Sequence, residues 1–223
     1  MTTPVLEPSR TCPLGNHSVS LRTSCSQTLA INAISVEPGW FYLGPAATNG
    51  SIDAVGLIIK DKTVNGSILR PVGDWIEIWN DAGSGTSTDF SLWRGIPRVE
   101  DEVNYIVLSG FFLRSHNKPS AVETTGIRAI HKDVLKLVDI GREVWTDAGT
   151  GADRDGSVWN ISVEGRLDVL NPGYFLPAAG HNIPPKDTFG IDRSKVETPD
   201  NLDIIDPNTE EMCVHFCTYI TDC

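Results

Sequence analysis

Asp147, Asp153 and Asp155 stand among glycines in residues 144–159, VWTDAGTGADRDGSVW, with a Trp near each end. Alternating acids followed by a glycine, as in Asp153-Arg154-Asp155-Gly156, resemble part of a calcium loop. Calcium takes about six to eight oxygens, which acidic side chains and turn carbonyls together can supply. These three acids are the metal-ligand candidates and Ca2+ the candidate ion, although nothing in the sequence fixes a cofactor. The competing reading is a hairpin turn, in which glycines take positive φ and the Asp side chains hydrogen-bond local N–H groups.

An internal repeat bears on that choice. Residues 78–93, IWNDAGSGTSTDFSLW, align without gaps on residues 144–159. Trp79 matches Trp145, Asp81-Ala82-Gly83 matches Asp147-Ala148-Gly149, and Gly85 matches Gly151. Asp89, Ser91 and Trp93 match Asp155, Ser157 and Trp159. A fixed offset with both Trp retained signals duplication. Asp153 becomes Ser87 in the earlier copy, so a metal loop built on the three acids loses a ligand there. What both copies keep, Asp at the ends and Gly between, is what a turn needs.

The other candidates are histidines and tryptophans. His116-Asn117 and His181-Asn182 occur in the echoing phrases RSHNKP and AGHNIP, after the Tyr-Leu strands of the two copies. They read as turns at strand ends or as a small polar binding pocket, repeated. With Asp81 and Asp147 they make a hydrolytic site only if the fold joins them. Trp79/Trp93 and Trp145/Trp159 flank a loop and are expected to pack in the core, each pair facing across neighbouring strands. Trp40 and Trp75 lack repeat counterparts and are the candidates for stacking on a sugar ring. No nucleophile elbow, His-Glu-x-x-His or phosphate loop occurs, so a non-enzyme is expected.

The elements that must position these residues read as β. DWIEIW at residues 74–79 alternates apolar and polar, 90–93 and 156–159 are short strands, and 105–113 is an apolar strand pair broken by Ser-Gly. PGWFYLG at 38–44, NYIVL at 104–108 and PGYFL at 172–176 are variants of one phrase. The repeats define a β domain over 31–190, with units at about 31–60, 61–120 and 121–185. The first unit is partial, and the tail after residue 185 is expected to complete it by closing the ring. Residues 1–30 and 191–223 read as extended arms, with one short helix expected over 209–219.

The chain has 223 residues and a formal net charge of −11, a field that repels nucleic acid. No apolar run is long enough to span a membrane. The opening residues lack a secretory pattern, so a cytosolic or unconventionally exported chain is expected. All the cysteines lie in the arms: Cys12, Cys25, Cys213, Cys217 and Cys223. They are candidates for disulfides between or within the arms, for reduced thiols, or, with His215, for a zinc site of unusual spacing. Their odd number leaves a thiol for a homodimer.

The pattern Trp-x-Asp-x-Gly-Ser-Gly-x-x-x-Asp-x-Ser-x-Trp, seen from Trp79 to Trp93 and echoed from Trp145 to Trp159, and then a Gly-Tyr-x-x-Leu-Gly strand, to which residues 39–44 and 173–176 are similar, resembles the Vps62-related family over roughly residues 35–185. The resemblance implies an all-β, β-prism-like fold: three four-stranded sheets about a pseudo-threefold axis. It also implies a recognition role, since some similar domains accompany bacterial pore-forming toxins as targeting modules. Trp93-Arg94-Gly95 and Trp159-Asn160-Ile161 depart from the family's Trp-Arg-Pro. The expected function is non-catalytic binding of a glycan or membrane headgroup. The expected site comprises Asp81, Asp89, His116, Asn117, Asp147, Asp153, Asp155, His181, Asn182, Trp40 and Trp75. The alternatives are a targeting component of a pore-forming or defence system, and a trafficking or structural adaptor dimerising through its cysteines.

Overall fold

The structure is a computed structural model and describes residues 6–10, 18–23, 27–32, 39–49, 57–63 and 65–196. The five cysteines and the expected helix lie outside these residues. All the named strands pair antiparallel, and no α-helix occurs among the described residues.

The strands fall into three consecutive sets. The first holds β1 (Leu6–Arg10), β2 (Ser18–Thr23), β3 (Gln27–Asn32), β4 (Phe41–Tyr42), β5 (Ala46–Asn49) and β6 (Leu57–Asp61). Its sheets run β1-β6-β4 and β2-β3-β5. The second holds β7 (Leu69–Pro71), β8 (Asp74–Asn80), β9 (Ser91–Ile96), β10 (Tyr105–Ile106), β11 (Gly110–Leu113) and β12 (Arg128–His131), in sheets β10-β12-β7 and β11-β9-β8. The third holds β13 (Leu135–Thr146), β14 (Gly156–Ser162), β15 (Val169–Leu170), β16 (Phe175–Ala179) and β17 (Thr188–Asp192). These form one five-stranded sheet, β15-β17-β13-β14-β16. The twelve-residue β13 pairs with β17 through its first half and with β14 through its second, so it spans what β7 and β8 divide between them.

Two sequence expectations meet a different arrangement here. The sheets are four of three strands and one of five, rather than three of four. The segment after residue 185 supplies β17, which pairs with β13 and β15 of its own set, while the first set is completed by β1, β2 and β3 from residues 6–32. The local reason is the hydrogen-bonded hairpins: each set is assembled from neighbouring sequence, so no distant tail is needed.

The tryptophans are buried as expected but do not pair across their own loops. A β-bulge slips the β8–β9 register, so that Glu77 faces Trp93 and Trp79 faces Leu92. The same slip recurs in β13, where Glu143 faces Trp159 and Trp145 faces Val158. The extra residue redirects the side chain that follows it. Trp79 instead packs edge-on against Trp145, ring centroids 5.3 Å apart, in a cluster with Phe90, Leu92, Phe112, Val158 and Phe175. Trp93 joins Tyr42, Trp75 and Ile127, and Trp159 joins the largest cluster around Leu43, Ile130 and Leu176.

Candidate functional site

Asp81 follows the last residue of β8 and closes the hairpin to β9 three times over. Its N–H donates to the Phe90 carbonyl (3.1 Å), its Oδ1 accepts from the Phe90 N–H (2.9 Å), and its carbonyl accepts from Ser84 N–H (3.0 Å). Its Oδ2 accepts from the Thr86 hydroxyl. Asp147 repeats the first three bonds with Gly156 and Thr150 at 3.0, 2.9 and 2.9 Å. Between them Gly83, Gly85, Gly149 and Gly151 all take positive φ, from 74° to 87°, which tightens both turns without strain. The turn reading therefore holds for Asp81, Asp147 and the glycines.

Each turn carries more than its own closure. His116, just beyond β11, donates from Nε2 to Asp81 Oδ1 at 2.6 Å, and His181, just beyond β16, does the same to Asp147 Oδ1 at 2.6 Å. Asp89 and Asp155 complete the groups: in each, one ligand atom from Asp, Asp and His lies within 4.8 Å of the others. Asp81 and Asp147 are buried, whereas Asp89 and Asp155 are exposed. The carboxylates of Asp89 and Asp155 take no hydrogen bond from any described residue.

A buried relay holds the histidines in place. Trp93 Nε1 donates to Ser91 Oγ (2.7 Å), and Ser91 Oγ donates to the carbonyl of Ser115, the residue before His116. Trp159 Nε1 donates to Ser157 Oγ (2.9 Å), which donates to the carbonyl of Gly180, before His181 (2.7 Å). This relay gives the repeated Ser-x-Trp spacing its purpose. Ser91, Ser157 and Thr86 support the site: the sequence reading matched the two serines in the repeat without giving them a role, and it did not name Thr86.

The two turns also touch. Asp153 N–H donates to the Ala82 carbonyl at 2.7 Å, and its carboxylate lies so close to Gly83 that a Cβ there would sit 2.3 Å from Oδ1. Trp79 Nε1 reaches Asp147 Oδ2 (3.0 Å) and the Arg154 carbonyl (2.7 Å), and Arg154 pairs with Glu77.

The structure does not gather the three candidate acids together: Asp153 points to the neighbouring turn, and His181 stands beside Asp147 and Asp155. Asn117 and Asn182 are exposed beside their histidines. Trp75 is only 6% exposed and rests on Phe111, which leaves no ring face for a sugar. Trp40 is half-buried with the Lys60 ammonium over its ring, and neither Trp belongs to the two clusters.

Charge in the clusters favours cations. The hydrogen bond to Asp81 raises the His116 pKa above the usual imidazole value, against some desolvation and with help from the charges of Asp89, Asp81 and Glu77. His181 is raised by Asp147 in the same way, with Asp155 and Glu143 contributing. Burial works to raise the Asp81 pKa, but the bonds from Thr86, Phe90 and His116 outweigh it and hold the carboxyl below its ordinary range.

No family model matches the chain, and no curated protein matches it. The crystal structure of GNIP1Aa from Chromobacterium piscinae is similar in fold, with a TM-score of 0.70 at 22% identity, over 95% of this chain and 42% of that one. This chain therefore spans less than half the length of that protein, and the likeness shows the fold alone.

Proposed function

We propose that this chain is a non-catalytic recognition module that binds a glycan or a membrane headgroup through residues 81–90 and 147–155, with His116 and His181. The observation that carries the reading is the duplicated cluster: Asp81, Asp89 and His116 are matched by Asp147, Asp155 and His181, each with an exposed carboxylate that takes no hydrogen bond from a described residue. Such a carboxylate is free to accept from a sugar hydroxyl or to meet a choline or ethanolamine cation. In each histidine Nε2 is committed to an Asp, and no Ser, Thr or Cys among the described residues is hydrogen-bonded to either ring. That arrangement supports binding over nucleophilic catalysis.

The recurring strand orders support a β-prism-like build in which the three sets are pseudo-threefold repeats, bounded at about 6–61, 69–131 and 135–192. On this reading residues 6–32 belong to the first repeat. The Vps62-related resemblance fits the same build.

The test is a glycan array and a headgroup-vesicle panel, run with the wild-type chain and with Asp89→Ala/Asp155→Ala. A ligand retained by the wild type and lost by the double variant is expected. Undiminished binding by that variant, or none by the wild type, would sink the reading. A second reading, a targeting component of a pore-forming or defence system, draws on the fold's occurrence within a longer chain, 42% of which it covers. It requires vesicle binding that free sugar does not compete away.

A further inference from the structure

We propose that Asp81, Asp89 and His116 form one divalent transition-metal site, and Asp147, Asp155 and His181 an equivalent second one. The inference gives the recognition loops an ion, and it rests on the recognition reading only for what the open side of each site would bind.

The donor set points to the class of metal. Two carboxylate oxygens and one imidazole nitrogen suit Zn2+, a borderline ion, or Mn2+, a harder ion that takes the carboxylates and accepts an imidazole, better than Ca2+, which prefers oxygen alone. In a tetrahedral zinc shell with bonds of about 2.1 Å the donor atoms lie about 3.4 Å apart. The donor atoms here lie within 4.8 Å of one another, so small side-chain adjustments close the shell. The ion takes the place of the proton now shared between His Nε2 and Asp Oδ1, and that proton leaves to solvent. Outer partners already orient the buried ligands: Phe90 N–H and Thr86 hold Asp81, while Gly156 N–H and Trp79 Nε1 hold Asp147.

A His–Asp ion pair accounts for His116 with Asp81 and for His181 with Asp147, but Asp89 and Asp155 lie outside those pairs and meet the imidazoles only through their charge. Each places a second negative charge beside the first, and no hydrogen bond from a described residue compensates it. The two loops differ at every position from 86 to 88 against 152 to 154, and their Oδ2 partners differ as well, Thr86 in one and Trp79 in the other. The acid survives that divergence and returns to the same place against the same imidazole. This second copy is an independent instance of the arrangement. It also removes the objection raised by Ser87, because the third donor is a histidine present in both copies. Three protein ligands with an exposed carboxylate leave a coordination position open to water or to an oxygen of a bound ligand.

The experiment uses the whole chain with its thiols alkylated by iodoacetamide, so that Cys213, His215 and Cys217 do not compete. Free Mn2+ is followed by electron paramagnetic resonance and Zn2+ by titration calorimetry. Two equivalents per chain are expected for the wild type, one for Asp89→Asn, one for Asp155→Asn and none for the double variant. Since these two side chains hold no described hydrogen bond, the double variant should melt within a few degrees of the wild type in metal-free buffer. No binding by the wild type, or two equivalents retained by the double variant, would overturn the proposal. Loop-dependent binding of Ca2+ with none of Mn2+ or Zn2+ would overturn the metal class. Glycan or vesicle binding that survives EDTA would leave the recognition reading standing after the metal proposal had failed.

Discussion

Ser157 shows how much a small buried side chain can organise. Its hydroxyl accepts from Trp159 Nε1 and donates to the Gly180 carbonyl, and it is wholly buried. Replacing it with Ala strands an indole N–H and a carbonyl, at a cost of about 1–3 kcal/mol for the desolvated groups. Ser157→Ala should therefore lower unfolding free energy by about that much in urea titrations, and Ser91→Ala should do likewise. A loss below about 0.5 kcal/mol in both would mean that the relay does not hold the histidines. At this scale the sequence was partly readable. The echo of His-Asn, and the Asp-x-Ser-x-Trp spacing, stood in plain view. What joins them did not, because Asp81 and His116 lie 35 residues apart and meet only once β11 pairs with β9.

Among the strands and turns, the glycines separate by cause. Gly149 has a φ of 83°, and a Cβ there would meet nothing within 4 Å. Gly156 lies at the start of β14, where a Cβ would sit 2.5 Å from Trp79 Cγ. The first position needs glycine for its backbone and the second for its space. Gly149→Ala should cost about 1–2 kcal/mol, the strain of a left-handed residue, while Gly156→Ala must displace a buried indole and should cost more, about 3 kcal/mol. Melting curves of the two variants give the order, and a reversed order would show that the indole yields freely. The alternation in β8 and the strands flanking the loops were legible from residue pattern. The bulges at Ile78 and Val144 were not, since a bulge depends on the partner strand rather than on its own residues. That is why the tryptophans were correctly assigned to the core but to the wrong neighbours.

Over the whole molecule, the second and third sets share one interior. Trp79 and Phe90 come from the second, Trp145, Val158 and Phe175 from the third, and they form a single cluster. A Cβ on Gly110 of β11 would strike Phe175 and Pro177 of β16, so these strands also meet at close range. Separate unfolding of either set would break this cluster. Thermal unfolding should follow one transition by near- and far-ultraviolet circular dichroism, and Trp79→Ala should lower the stability by about 3–5 kcal/mol. Two transitions would show that the shared cluster does not couple them. The strand arithmetic was legible for the second and third sets because Trp, Asp and Gly mark both. It was not legible for the first, whose strands at residues 6–32 carry none of those marks.

Trp79 joins these scales. Its ring stands edge-on to Trp145, and its N–H is bonded to the carboxylate of Asp147. An indole's emission responds to charge at its nitrogen and to the ring beside it. Trp79 is one of six tryptophans, so the difference in emission between the wild type and Trp79→Phe isolates an optical report on residues 147–155 without any attached dye.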